Sequence, residues 1–187
     1  ALLSVICLAS CADFLTEAPT TALSEGTVYS DEANLEAGVI GVYWSLKTSN
    51  YSWTTQMSEF CSFPSILIHW KDNRTAENYI QCLRLTMFPH SAENQGLYDY
   101  LYASIYKCNK MIEAMSISPV DQAYKNEIEG EVKFIRAWQY FAAVRFWGDI
   151  PLILNTPKNI DETDAPRVHY MEVYKQILSD IEYAEQN

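Results

Sequence analysis

The stretch from Phe134 to Leu152 constrains this chain more than any other: Phe-Ile-Arg-Ala-Trp-Gln-Tyr-Phe-Ala-Ala-Val-Arg-Phe-Trp-Gly-Asp-Ile-Pro-Leu. Wound at about 100° per residue, its helix is apolar nearly all the way round, with only Arg136, Gln139 and Arg145 interrupting. Such a helix has to be covered on several sides by other elements. It stops at Gly148, with Pro151 soon after, the usual glycine-then-proline helix exit. The expected architecture is therefore all-α, built around a central helix buried among other helices.

The rest of the chain supplies candidates for those neighbours. Ser30-Asp31-Glu32 opens a helix to about Lys47, in which Ala33, Ala37, Ile40 and Trp44 form a helical stripe. Acidic residues occupy its first turn, as the helix dipole favours. A second helix is predicted from about Asn94 to Met115, where Leu97, Leu101, Ile105, Cys108, Ile112 and Met115 fall within about 80° of one another. Ser118-Pro119 is expected to begin the third, central helix, with Pro119 in the first turn and Asp121 near the donor end, and it runs to Trp147. A fourth starts near His169, with Tyr170, Tyr174, Ile177, Ile181 and Ala184 on one face. Few residues join the second and third helices, so they should lie antiparallel as a hairpin. Stacked helix hairpins with long irregular loops suggest a tetratricopeptide-like arrangement, although no strict repeat of about 34 residues stands in the letters.

Composition narrows the function classes. The 187 residues suit one domain or part of a larger one. A net charge of −11 leaves no basic face to neutralise phosphates, which argues against nucleic acid. No apolar run reaches the roughly 20 residues of a membrane-spanning helix. Of the five cysteines, Cys108 falls on the apolar stripe of the second helix and reads as a small core residue. Cys61 and Cys82 flank a loop; spacing alone leaves their pairing open.

The amino terminus reads as an address. Ala1 to Ala9 is mostly apolar and leads into Leu8-Ala9-Ser10-Cys11, the pattern of a secretory signal followed by something that looks like a bacterial lipobox. Cys11 would then be the lipidated first residue of the mature protein. The initiator Met and basic n-region are absent, as they would be in a chain cut at its start. Residues 1–10 are thus assigned to a lipoprotein signal segment, 11–26 to an extended tether, and 27–187 to the helical domain. Acyl chains each contribute about 0.8 kcal/mol per buried CH₂, so dual acylation of Cys11 would hold the protein at a membrane without any spanning helix.

Five segments, in order along the chain, resemble the SusD/RagB family of outer-membrane nutrient-binding lipoproteins. Cys11-Ala-Asp-Phe-Leu-Thr-Glu-Ala-Pro19 is similar to the family's opening. Tyr98, Tyr102, Ile105 and Asn109 match an aromatic-x-x-x-Tyr-x-x-Ile-x-x-x-Asn helix. Glu131, Phe134, Arg136-Ala137 and Tyr140-Phe141 match a Glu-x-x-Phe-x-Arg-Ala helix, which leads into Gly148-Asp149-Ile150-Pro151-Leu152. The last segment holds Arg167, Glu172, Tyr174, Ile177, Asp180, Ile181 and Glu182. There His169 stands where the pattern has a capping hydroxyl, which leaves that helix cap open. Members of the family are considerably longer, so the resemblance implies that the domain is incomplete at its C-terminus. Apolar faces meant for the missing part should then be exposed.

Residues that could carry chemistry are sparse. His69, His90 and His169 are far apart, and neither His-x-x-x-His nor Cys-x-x-Cys spacing occurs, so no zinc site and no cofactor is expected. There is no phosphate-cradling glycine loop and no Gly-x-Ser-x-Gly elbow. Glu131 on the central helix reads as the partner of a buried arginine, Arg136 or Arg145, more readily than as an acid of raised pKa. The segment from Tyr51 to His90 is long for a connection in a compact domain, and such loops are often functional. Sugars offer an apolar C–H face and a rim of hydroxyls, which an aromatic ring beside Asn or Arg can satisfy together. Trp70, Asn73, Arg74 and Tyr79 are the preferred ligand-binding cluster, the alternative being that these aromatics pack the loop onto the helices.

The resemblance implies a non-enzymatic, lipid-anchored protein at the outer-membrane surface. It would bind an oligosaccharide, or a peptide, and hand it to a SusC-type TonB-dependent transporter over which it sits as a lid. Two other classes compete. One is a helical scaffold that binds only protein. The other is a glycoside hydrolase, suggested by the acidic and aromatic content; the 24 carboxylates offer pairs, but no acid–base motif is recognisable in the letters.

Overall fold

The computed structural model describes residues 29–47, 91–159, 162 and 164–187. Cys11, the tether, Cys61 and Cys82 lie outside the described residues. The described elements are α1 (Glu32–Ser45), α2 (Ala92–Ile117), α3 (Gln122–Trp147), a two-stranded antiparallel ribbon of β1 (Ile150–Pro151) and β2 (Arg167–Val168), and α4 (Tyr170–Gln186). This is the all-α, tetratricopeptide-like class expected. Among the described residues, no helix is long and apolar enough to cross a membrane.

Local chemistry explains where the helices begin and end. Asp31, Ser91 and Asp121 cap α1, α2 and α3, each side-chain oxygen accepting a hydrogen bond from a first-turn amide at 2.9–3.3 Å. The expectation that Ser118-Pro119 starts the central helix is not met. A residue before proline is pushed out of the α region, and Ser118 accordingly takes φ −68, ψ 136 and closes α2 instead. Its hydroxyl donates to the Tyr29 carbonyl at 2.7 Å, tying the hairpin turn to the start of α1. The open question at His169 is answered by its ring: Nδ1 accepts from the Met171 amide at 3.3 Å and does the work of the missing hydroxyl.

α2 and α3 form the antiparallel hairpin expected, α4 lies antiparallel along α3, and α1 packs against both α2 and α3. α3 supplies buried residues to both halves of the core. Toward its C-terminal end, Ala137, Tyr140 and Ala143 pack with Leu97, Leu101, Ile105, Val173 and Ile177. Toward its N-terminal end, Ile128, Val132 and Ile135 pack with Leu35, Val39, Cys108, Met111 and Met115. Five of the six residues predicted for the α2 stripe are fully buried, Ile112 being partly so.

Two predicted faces need correction. On α1 the core side is Leu35, Val39 and Val42, whereas Ile40 and Trp44 are 59% and 61% exposed and Ala33 and Ala37 also face outward. Both stripes are apolar at helical pitch, so periodicity alone does not choose between them. On α4 the core side is Val173, Ile177 and Asp180, rotated by about 50° from the predicted stripe. Tyr170 and Ile181 are exposed.

The polar centre of the bundle joins three helices. Arg136 on α3 is 4% exposed and Asp180 on α4 is 2% exposed. The guanidinium donates through Nε and Nη2 to the two oxygens of Asp180, at 2.8 and 2.7 Å, in a two-pronged pair. Nη1 donates to Asn109 Oδ1 on α2 at 2.9 Å, and Asn109 Nδ2 donates onward to the Ile153 carbonyl at 2.8 Å. Tyr140 fixes the same peptide: its hydroxyl donates to the Ile153 carbonyl at 2.6 Å and accepts from the Ile153 amide at 2.8 Å. Glu131, expected to partner an arginine, instead accepts from the Tyr43 hydroxyl at 3.0 Å. Five residues separate it from Arg136, about 140° around the helix, so the two point to different neighbours.

Removing one member of a fully buried ion pair strands the other charge, at a cost of about 3–5 kcal/mol. Asp180→Ala should therefore lower the unfolding free energy by about 3–5 kcal/mol in urea titration. Lys175→Ala, which breaks the exposed 2.6 Å pair with Glu172, should change it by less than about 1 kcal/mol.

Candidate functional site

An antiparallel α2–α3 hairpin brings the start of α2 and the end of α3 to the same end of the bundle. There the chain must leave α3, make a ribbon and enter α4. Gly148 makes the exit possible: its φ of +68° is a conformation that a side chain rarely tolerates. Pairing of Pro151 with Arg167 then sets Arg167 at one wall of a pocket of about 470 Å³.

Asn94, Tyr98 and Asp99 from the first turns of α2 make a second wall, and Trp147 and Asp149 complete it. The aromatic part is tightly organised. Tyr98 stacks on Tyr102, one helical turn on, with ring centroids 4.4 Å apart, and meets Trp147 edge-on at 5.3 Å. Trp147 Nε1 donates to Asn94 Oδ1 at 3.0 Å, and the Tyr102 hydroxyl donates to the Pro151 carbonyl at 2.7 Å. Asp149 Oδ1 accepts from the Tyr170 amide at 2.8 Å, pinning the ribbon to the start of α4.

Electrostatically, the surroundings hold protons in place. Burial, reinforced by Tyr98, pushes the Tyr102 hydroxyl well above the ordinary tyrosine range. Burial likewise raises Tyr140 and pushes the Cys108 thiol up to about 12, against the opposing charge of Arg136. These groups stay neutral across the physiological range and act as hydrogen-bonding or packing groups. Among the described residues, no group of three or more His, Cys, Asp or Glu side chains is arranged to hold a metal ion. What the pocket offers is aromatic surface beside side-chain amides, carboxylates and a guanidinium, a mixture suited to a polar, hydroxyl-rich molecule.

The preferred cluster of Trp70, Asn73, Arg74 and Tyr79 lies outside the described residues. The described pocket was not singled out in the sequence, although Tyr98, Tyr102, Asp149, Pro151 and Arg167 all stand in the recognised motifs. A usable signal was present. A short hairpin connection obliges the start of α2 and the end of α3 to meet, which brings Tyr98 and Trp147 together.

Comparison with known proteins identifies the class. Residues 13–186 match a family model described as SusD-like, starch-binding and associating with the outer membrane, and the chain belongs to this family. Among relatives, a SusD-like protein P2 of Formosa agariphila is 26% identical over 183 residues, which is 97% of this chain and 36% of that protein. The chain thus spans about a third of the length of the curated relatives it matches. A SusD-like protein of Bacteroides fragilis has the same fold, with a TM-score of 0.72 at 23% identity over 91% of this chain and 32% of that one. A laminarin-binding SusD-like protein superposes with a TM-score of 0.71 at 21% identity, covering 83% of this chain and 34% of that one.

Among the described residues, none beyond its two chain neighbours comes within 4 Å of a methyl group built on Gly148, so substitution there meets chiefly backbone strain. Gly148→Ala should cost about 1–3 kcal/mol, seen as a lowered Tm, because the exit from α3 needs a positive φ. An unchanged Tm would show that the turn adapts freely.

Proposed function

We propose that this chain is the helical N-terminal part of a non-enzymatic, lipid-anchored protein at the outer-membrane surface that captures an oligosaccharide. In this reading it passes the glycan to a SusC-type TonB-dependent transporter. The observation that carries it is the family match over residues 13–186, whose description joins starch binding to outer-membrane association. The laminarin-binding neighbour, alike in fold over most of this chain, favours a glycan over a peptide.

Physically the task needs only capture and geometry. Ring faces take the C–H surface of a sugar, and Asn, Asp and Arg side chains satisfy its hydroxyls. Trp70, Asn73, Arg74 and Tyr79 are assigned the first contact, and lipid on Cys11 keeps the site at the membrane. Tethering raises the effective ligand concentration at a transporter mouth, so modest affinity suffices. Movement of the protein as a lid then delivers the ligand.

Calorimetry of the full-length protein against a panel of soluble glucans and other oligosaccharides tests the reading. One glycan should bind, and Trp70→Ala with Asn73→Ala should weaken it at least tenfold, about 1.4 kcal/mol. Absence of affinity for every glycan tested, or release of reducing sugar on incubation, would contradict it.

A further inference from the structure

A surface that holds a saccharide has to mix ring faces with polar groups, because each hydroxyl taken from water needs a new partner. The groove between α3 and α4 fails that condition. Phe134, Trp138 and Phe141 wall it on one side and Tyr174, Leu178 and Ile181 on the other, and it presents hardly any polar atom. The pocket where α2 begins and α3 ends meets the condition. Its lining sets the half-buried rings of Tyr98 and Trp147 among the exposed side chains of Gln95, Asp99, Asp149 and Arg167.

The rings are held by the fold itself. Tyr98 rests one face on Tyr102 at 4.4 Å and meets Trp147 edge-on at 5.3 Å. The Trp147 indole N–H is engaged by Asn94 Oδ1 at 3.0 Å. Laying a sugar ring against them therefore freezes little side-chain motion, which is one of the main costs of binding. The cavity, of about 470 Å³, falls in the lower part of the range usual for small-molecule sites and suits one or two sugar rings.

The rim carries a charge bias. Among the described lining residues stand two carboxylates, Asp99 and Asp149, against one guanidinium, Arg167, a balance of one negative charge. Arg167 also lies near enough to Tyr102 to oppose the rise in that hydroxyl's pKa. The chain as a whole has a net charge of −11, so the distant field has the same sign. Hydroxyls can donate to the carboxylates and accept from Gln95 and Arg167, whereas an anionic substituent meets repulsion.

We propose that this pocket is a second sugar-binding site, made by residues other than Trp70, Asn73, Arg74 and Tyr79, that takes an uncharged unit of a neutral glycan. The C–H face of the unit lies on Tyr98 and Trp147, its hydroxyls meet the rim, and Asp99 with Asp149 turns away units bearing carboxylate or sulfate. The inference rests on the glycan-capture reading and adds to it a place and a charge preference.

Calorimetry of the full-length protein with maltoheptaose and laminariheptaose, and with both glucans oxidised to uronates at their primary hydroxyls, tests it. Gln95→Ala with Asp99→Ala, both at exposed positions, should leave Tm unchanged and weaken the uncharged glucan that binds at least about fivefold. Asp99→Asn should reduce the preference for that glucan over its oxidised form at least about threefold at low salt. The indole N–H resonance of Trp147, assigned from the Trp147→Phe spectrum, should move during the titration. Unchanged affinity in the Gln95/Asp99 variant, with binding lost in Trp70→Ala/Asn73→Ala, would overturn this proposal and leave the capture reading standing. A charge preference that Asp99→Asn does not alter would overturn it too. Failure of both uncharged glucans to bind the unaltered protein would count against the proposal and the capture reading together.

Discussion

The fold depends on a single charged side chain placed where water does not reach. Arg136 sits in the middle of α3, the helix that supplies buried residues to both halves of the core, and burying a guanidinium there is tolerable only if its donors find partners. Three of its nitrogens do: Nε and Nη2 reach Asp180 on α4, and Nη1 reaches Asn109 on α2. The requirement locks register. A shift of either neighbouring helix by one residue would leave a buried charge or amide unpaired, whereas purely apolar packing accepts several registers at little cost.

From that centre the order passes outward. Asn109 and Tyr140 both hold the Ile153 peptide, so the strand leaving α3 is fixed by the same network that aligns the helices. The ribbon and Asp149 then position the start of α4, and together these set the walls of the Tyr98–Trp147 pocket. A pocket built this way has its walls held by hydrogen bonds of the fold itself, an arrangement suited to recognition by placed polar groups rather than by induced folding.

The sequence disclosed this arrangement unevenly, for physical reasons. The central helix, its glycine exit and the α2 stripe were legible because each is a local pattern with one reading. The α1 face was not, because Leu35-Val39-Val42 and Ile40-Trp44 are equally apolar stripes and only tertiary packing selects one. For α4 the predicted stripe fell between the core face and the groove face, averaging two apolar surfaces into one. Asp180 could not be read as a core residue at all, since its burial makes sense only beside Arg136, 44 residues earlier. The pocket escaped notice for a related reason. Its residues were visible one by one within motifs, but their meeting depends on topology.

The most direct test of the central claim is a double-mutant cycle on the buried pair, followed by urea unfolding. Arg136→Met and Asp180→Leu should each be strongly destabilising. The double variant should be no less stable than either single one, giving a coupling of at least about 2 kcal/mol. Single costs that simply add in the double variant, to within about 0.5 kcal/mol, would mean the two charges do not depend on each other. The register would then be set by apolar packing alone.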